Sequence, residues 1–400
     1  MKLNANDHRR HARRRLPRFV FDYVDGGAET EDCLRRNEAD LAALHLVPTA
    51  LRDTRHADPG ITVFGRRWAA PLGVAPVGFS GLVRPHGDTL LACAAAATGV
   101  PHVLSTPSND RLEAVREAAL RRDPEALQWM QLYVMGDRAI AEQLVRRARA
   151  AGYSALVLTV DAAVSGLRER DVRNGFRLPF RFTPSTLLDL ALHPRWSLAM
   201  AMQGRSPSFV NLAEADDGAT SAQLQAALLS RTMDRTLAWE HLAWLRRLWD
   251  GPLLVKGLLH PGDAALAVRH GADGIVVSNH GGRQLDAAPS TISVLPRMVD
   301  AVAGRIPVFV DGGFRRGSDV VKALAAGATA VFVGRAAVWG MACDGEAGAR
   351  GVLAGLVDDI ARTLVLLGAD RVDEVAPHHL LANLPFPGSA GLSHAGARHG

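Results

Sequence analysis

Eight short apolar runs, separated by helical patterns, constrain what this chain can fold into more than any other feature. They are 72–76 (LGVAP), 102–105 (HVLS), 128–134 (QWMQLYV), 154–160 (SALVLTV), 252–256 (PLLVK), 274–278 (GIVVS), 306–311 (IPVFVD) and 329–334 (TAVFVG). Each is continuous rather than alternating, as expected of parallel strands covered on both faces. Helical patterns such as 138–151 (RAIAEQLVRRARAA) and 263–270 lie between them. Strand–helix alternation repeated eight times predicts an α/β fold, a (β/α)8 TIM barrel.

The rhythm breaks once. Run four starts at 154 and run five at 252, so a long insertion follows strand 4, placed at 177–235. Insertions there sit on the C-terminal face, where barrel active sites lie. Residues 1–70 read as a helical, turn-rich N-terminal lead-in. The domain is expected to span 1–375, with 376–400 as a polar C-terminal tail.

Composition removes several function classes. Of 400 residues 48% are apolar and 22% charged, which excludes a disordered or collagen-like chain. Cys33, Cys93 and Cys343 are too few and too far apart for a disulfide framework or a zinc site, and a reducing compartment fits them. No metal site is expected. The net charge of +5 is densest at 8–18 (HRRHARRRLPR), where no aromatic residues interleave and no nucleic-acid motif appears. No stretch reads as a membrane-spanning helix. Only three lysines, Lys2, Lys256 and Lys322, stand among 46 basic residues, and there are only three tyrosines, Tyr23, Tyr133 and Tyr153.

Polar residues gather where the runs end, and on a barrel those ends share one mouth. Run three carries Gln131 and Tyr133. Run four ends at Thr159 and Asp161, with Arg168 beyond. Run five ends at Lys256, run six at Ser278 to Arg283, run seven at Asp311 to Arg315, and run eight at Gly334 and Arg335. The glycines Gly312, Gly313 and Gly334 allow close backbone approach, and Arg315 and Arg335 suit a phosphate. The alternative is that these are ordinary turn residues. Lys256 closes an apolar strand, where a lysine is either ion-paired or placed to hold an anion or act at a lowered pKa. His280 is either a satisfied core histidine or a base oriented by Asp161. Arg168 and Arg283 could clamp a carboxylate, although 168–171 (RERD) also reads as a solvated charge run.

Seven segments carry a family resemblance: SNHGGRQLD (278–286), LTVD (158–161), QLYV (131–134), LVKG (254–257), DGGFRRG (311–317), VGR (333–335) and FDYVDGGA (21–28). In this order and spacing the chain resembles the FMN-dependent 2-hydroxy-acid dehydrogenases and oxidases from about residue 10 to 370. Within that family, VLSTPSND (103–110), HPRWSL (193–198) and 223–234 look most like the mandelate dehydrogenases.

The resemblance implies roles. His280 would take the substrate proton or assist hydride loss, and Asp161 would pair with it as it becomes charged. Tyr133 would hydrogen-bond the substrate oxygen. Tyr23 and Arg283 would bind the carboxylate, with Arg168 nearby. Lys256 would lie by the flavin N1/O2 edge. Pro76, Val77 and Gly78 would face the flavin through their backbone, and Ser105, Gln131, Thr159 and Ser278 would hydrogen-bond the ring or ribityl chain. Asp311, Gly312, Gly313, Arg315, Gly334 and Arg335 would hold the ribityl and phosphate end. The implied activity is oxidation of an L-2-hydroxy acid, (S)-mandelate or a related aromatic acid, with electrons passed to a quinone or other carrier; lactate or oxygen is the alternative. Family members are often tetramers.

Two departures bear on substrate and acceptor. Pro107 stands where glycolate-oxidising members carry tryptophan, which leaves room for a larger side chain. Gly78 stands where many oxidases carry alanine. Residues 177–205 hold Leu187, Leu188, Leu192, Trp196, Leu198 and Met202, flanked by Arg177, Arg181, Arg195 and Arg205. That pattern suits peripheral contact with the inner face of the cell membrane from the cytoplasm, or a lid over the mouth.

Overall fold

A computed structural model of the chain describes residues 2–175, 183–203, 207–213 and 233–382. All eight runs form strands: β1 (Leu72–Val74), β2 (His102–Leu104), β3 (Gln128–Leu132), β4 (Ala155–Thr159), β5 (Leu253–Leu258), β6 (Gly274–Val277), β7 (Val308–Asp311) and β8 (Ala330–Val333). Every neighbouring pair is parallel, and β8 pairs with β1 to close the barrel. The helix Arg138–Ala150 illustrates how the outer layer forms. Asp137 caps it by accepting from the Ala139 N–H, and Ala141, Leu144, Val145 and Ala148 make one buried stripe at helical spacing.

The barrel has two apolar cores. Outside, the strands pack against the helices. Inside, Trp129, Phe309 and Phe332 interlock with ring centroids 5.5 to 5.7 Å apart. A short hairpin, Ile61–Val63 and Arg66–Trp68, presses Trp68 onto this cluster, stacked on Phe309 at 6.1 Å. The lead-in is therefore not helical throughout. Its last part supplies side chains to the barrel interior and leaves the mouth for chemistry.

The expected boundary at 375 falls short. Leu380–Ala382 pairs antiparallel with Leu44–Leu46, so residues 376–382 belong to the folded domain. The remainder of the tail, 383–400, lies outside the described residues. So do insertion residues 176–182, 204–206 and 214–232, which include Arg177, Arg181, Arg205 and part of the 223–234 motif. The described part of the insertion has helices at Pro184–Leu192 and Pro194–Met202, neither with a buried residue. It returns to the barrel rim at Met233, which bridges Met135.

Candidate active site

The strand ends converge on a cavity of about 690 Å³. The chain after β6 turns sharply to reach it: His280 (φ +58°), Gly281 (φ +63°) and Gly282 (φ +76°) are all left-handed. For a histidine that conformation costs about 1–3 kcal/mol. It is held by Asn279, whose amide exchanges hydrogen bonds with Asn37 at 2.8 and 3.0 Å and donates to the Pro289 carbonyl at 3.0 Å.

Three side chains from three strands meet in a line. The Asp161 carboxylate, after β4, lies 3.0 Å from His280 Nδ1, and Tyr133 Oη, after β3, lies 3.4 Å from His280 Nε2. The second Asp161 oxygen is buried without a partner. Burial opposes the Asp161 charge, but His280 and Lys256 outweigh it and hold the carboxyl below its usual range. Burial pushes the Tyr133 phenol well up, so it stays protonated. A histidine with one nitrogen fixed by a carboxylate and the other beside a phenol can accept a proton on the cavity side.

Lys256 makes a second line. Its Nζ donates to Ser278 Oγ at 2.8 Å and lies 3.1 Å from Asp311, and Ser278 Oγ donates to Asp311 at 2.7 Å. Burial disfavours the ammonium, yet Asp311 and Asp161 more than compensate and raise its pKa. Lys256 is thus ion-paired and lines the cavity.

Four arginines, Arg168, Arg283, Arg315 and Arg335, line the same cavity. Arg283 donates to the Tyr23 and Gly26 carbonyls at 2.7 and 3.0 Å, and Arg335 to the Val24, Gly281 and Gly26 carbonyls at 2.8 to 3.1 Å. Among the described residues neither has a carboxylate partner. Burial pushes Arg335 down to about 9 and lowers Arg283 as well. Arg315 has Glu38 at 3.0 Å but keeps a buried Nε without a partner. Arg283 and Arg335, half-buried guanidinium groups that face the cavity and are held by backbone carbonyls, suit an anion. Arg283 and Arg168 both lie over the Tyr23 ring, at 5.1 and 5.5 Å. Arg168 also pairs with buried Asp171 at 3.1 Å, so it belongs to the cavity and not to a solvated run.

The remaining predicted residues divide between the wall and the layer beneath. Pro76, Val77, Gly78, Ser105, Gly312, Gly313 and Gly334 line the cavity, with Gly334 beside Val77. Gly312 and Gly313 have φ near +101° and +91°, and a Cβ on Gly313 would sit 2.8 Å from the Asn37 carbonyl oxygen, so only glycine fits. Gln131 accepts from Thr106 N at 3.0 Å and from Ser105 Oγ at 3.3 Å, but its Nε2 is buried without a partner, as is Thr159 Oγ1. These orphaned polar atoms, a glycine cradle beside two arginines and a buried ammonium fit a flavin mononucleotide. The phosphate would lie at Arg315 and Arg335, and the ring near Lys256.

Several contributors carried no readable sequence signal. Phe79, Phe209 and Met233 line the cavity, and the last two come from the insertion. Asp88, fully buried, holds the 105–110 loop by accepting from Ser108 Oγ at 2.7 Å and Asn109 N at 2.9 Å. Two rare residues are structural: Tyr153 donates to the Leu112 carbonyl and Lys322 to the Leu41 carbonyl.

Comparison with known proteins agrees with this geometry. The sequence profile described as FMN-dependent dehydrogenase matches residues 12–382. The chain is 44% identical over 378 residues to an (S)-mandelate dehydrogenase of Pseudomonas putida, covering 94% of this chain and 93% of that one. It is 40% identical over 380 residues to an L-lactate dehydrogenase of Pseudomonas aeruginosa (strain UCBPP-PA14), covering 95% and 98%. A crystal structure described as the monotopic membrane protein (S)-mandelate dehydrogenase superposes with a TM-score of 0.89 at 43% identity, covering 95% of this chain and 99% of that one. A barrel with this mouth, matched over nearly its whole length, is an FMN-dependent enzyme acting on the CH–OH group of 2-hydroxy acids, and the chain belongs to the FMN-dependent dehydrogenase family.

Proposed function

We propose that this enzyme oxidises an aromatic L-2-hydroxy acid, (S)-mandelate or a near relative, to the 2-oxo acid. The observation that carries the chemistry is the Tyr133–His280–Asp161 line beside Arg283 and Arg335, two half-buried arginines without a carboxylate partner among the described residues. Arg283, with Tyr23 and Arg168, would bind the substrate carboxylate. The adjacent hydroxyl would then face both Tyr133 Oη and His280 Nε2. His280 would take the hydroxyl proton, Asp161 would stabilise the imidazolium, and Tyr133 would donate to the substrate oxygen. Bound FMN supplies the two-electron acceptor for the α-hydrogen. Lys256, fixed by Ser278 and Asp311, would offer positive charge at the ring edge.

Two features favour an aryl substrate over lactate. Pro107 is smaller than the tryptophan of glycolate-oxidising members, and Gly78 packs directly on it, since a Cβ there would sit 2.8 Å from Pro107 Cγ. Phe79 and Phe209 give that wall an aromatic lining. Comparing kcat/KM across a panel of (S)-mandelate, L-lactate and glycolate tests this. Mandelate should lead; a clear lead for lactate would move the enzyme to the aliphatic branch.

Electrons would pass to a quinone or other carrier at a membrane surface. Leu188, Leu192, Leu198 and Met202 are 62–78% exposed on the insertion helices. An apolar face beside Arg195 suits the headgroup boundary of a bilayer. Among the described residues no helix is long and apolar enough to cross a membrane, so contact would be peripheral. A peroxide yield in air far below turnover with a quinone is expected. Tetrameric assembly rests on the family resemblance.

A further inference from the structure

The insertion reaches the cavity at Phe209 and at Met233, and around Phe209 it is fastened mainly by one side chain. Phe209 is 2% exposed and lies edge-on to Phe79 with ring centroids 5.0 Å apart; Phe79 lies 6.1 Å from Tyr23. Tyr23, Phe79, Pro107 and Phe209 all line the cavity, so an aromatic wall leads away from the arginines that flank Tyr23.

Phe209 precedes the helix Val210–Ala213, which side chains fasten to the barrel. Asn211, 1% exposed, supplies the anchor. Its Oδ1 accepts from Leu112 N at 3.0 Å and from Arg147 Nη2 at 3.2 Å, and its Nδ2 donates to the Asp110 carbonyl at 3.0 Å. Arg147 is itself fixed by Glu113 at 2.8 and 3.0 Å. Asn109 adds a second tie, donating to the Ser208 carbonyl at 2.9 Å. The position suits an amide, which offers both a donor and an acceptor in one short planar group.

We propose that Asn211 is a positioning residue for Phe209, and that Phe209 makes the site prefer an aryl side chain over a methyl group. This rests on the hydroxy-acid reading above and adds to it a specificity element contributed by the insertion.

The test uses the full FMN-loaded chain as wild type, Phe209→Ala, Asn211→Leu, Asn109→Asp and the Phe209→Ala/Asn211→Leu double variant. Binding of phenylacetate and of acetate is read from the flavin absorption spectrum, without turnover. The acetate-to-phenylacetate ratio of Kd should fall about tenfold in Phe209→Ala, the scale of a lost apolar contact. Asn211→Leu should reproduce that fall, and the double variant should add nothing to it. The mandelate-to-lactate ratio of kcat/KM should drop in parallel, through KM more than kcat. An unchanged ratio in Phe209→Ala would overturn the specificity role. A changed ratio there with wild-type ratios in both Asn211→Leu and Asn109→Asp would overturn the positioning role. If Asn211→Leu does not fold, Asn109→Asp decides it: it keeps the acceptor for the Gly81 N–H and loses only the donor to the Ser208 carbonyl, whereas Asn109→Ala removes both. Failure of every hydroxy acid to reduce the wild-type flavin would count against the proposed reaction, while the carboxylate-binding ratios still judge Phe209.

Discussion

At the mouth of the barrel, polar groups are buried and paired: Lys256 with Ser278 and Asp311, Asp161 with His280. Along Pro184–Met202 the situation is reversed, with Leu188, Leu192 and Leu198 left exposed and no residue buried. Each arrangement costs free energy in isolation, buried charge in one case and hydrated apolar surface in the other. The difference teaches what each region lacks. At the mouth, Arg283 and Arg335 have no carboxylate partner among the described residues, and a flavin phosphate and a substrate carboxylate would balance them. The described part of the insertion has exposed apolar surface, which the proposed membrane contact would cover. On that proposal one region would answer to chemistry and the other to location, and mutations should separate them.

The largest expected effect is at the mouth. His280→Gln should retain FMN but reduce it about 10⁴-fold more slowly, the upper scale for loss of a general base. Anaerobic stopped-flow absorbance checks this, and undiminished reduction would remove His280 from its role. Lys256→Arg should slow flavin reduction by about 10²–10³, because the wider guanidinium cannot sit between Ser278 and Asp311 as the ammonium does.

A smaller effect is expected on the loop between the two regions. Burial, and then Asp110, push the Asp88 carboxyl from 3.8 up to about 6. The folded chain therefore keeps this proton to a higher pH than the unfolded chain does. Its contribution favours folding most below about pH 4 and is lost as pH rises through 6, by roughly 3 kcal/mol in all. Asp88→Asn should flatten that part of the stability profile in denaturant titrations from pH 4 to 7. An unchanged slope would mean that Asp88 is ionised in the folded state.

The smallest effect on chemistry should come from the insertion. Leu188→Glu with Leu192→Glu should weaken binding to phosphatidylglycerol-containing vesicles about tenfold. The same variant should leave kcat/KM in free solution within about twofold. Equal loss of both would erase the distinction between the two regions and make the insertion a lid.

Most of the barrel and much of the mouth were legible in the sequence, for a shared reason. A strand covered on both faces must be a continuous apolar run, and a polar residue such as Lys256 at its end is conspicuous. What escaped depends on contacts between distant segments. The strands at 44–46 and 380–382 are three residues each and exist only because they pair with one another. Trp68 read as lead-in because its partner Phe309 is far along the chain. Asn211 and Phe209 carry no local pattern, and their placement depends on Leu112, Asp110 and Arg147.

The account's central claim is that this mouth oxidises a 2-hydroxy acid on bound FMN. Anaerobic mixing of the FMN-loaded wild-type protein with a slight excess of (S)-mandelate tests it most directly. The account predicts full bleaching of the flavin with one phenylglyoxylate formed per flavin reduced. An oxidised flavin that persists with (S)-mandelate, L-lactate and glycolate alike would contradict it.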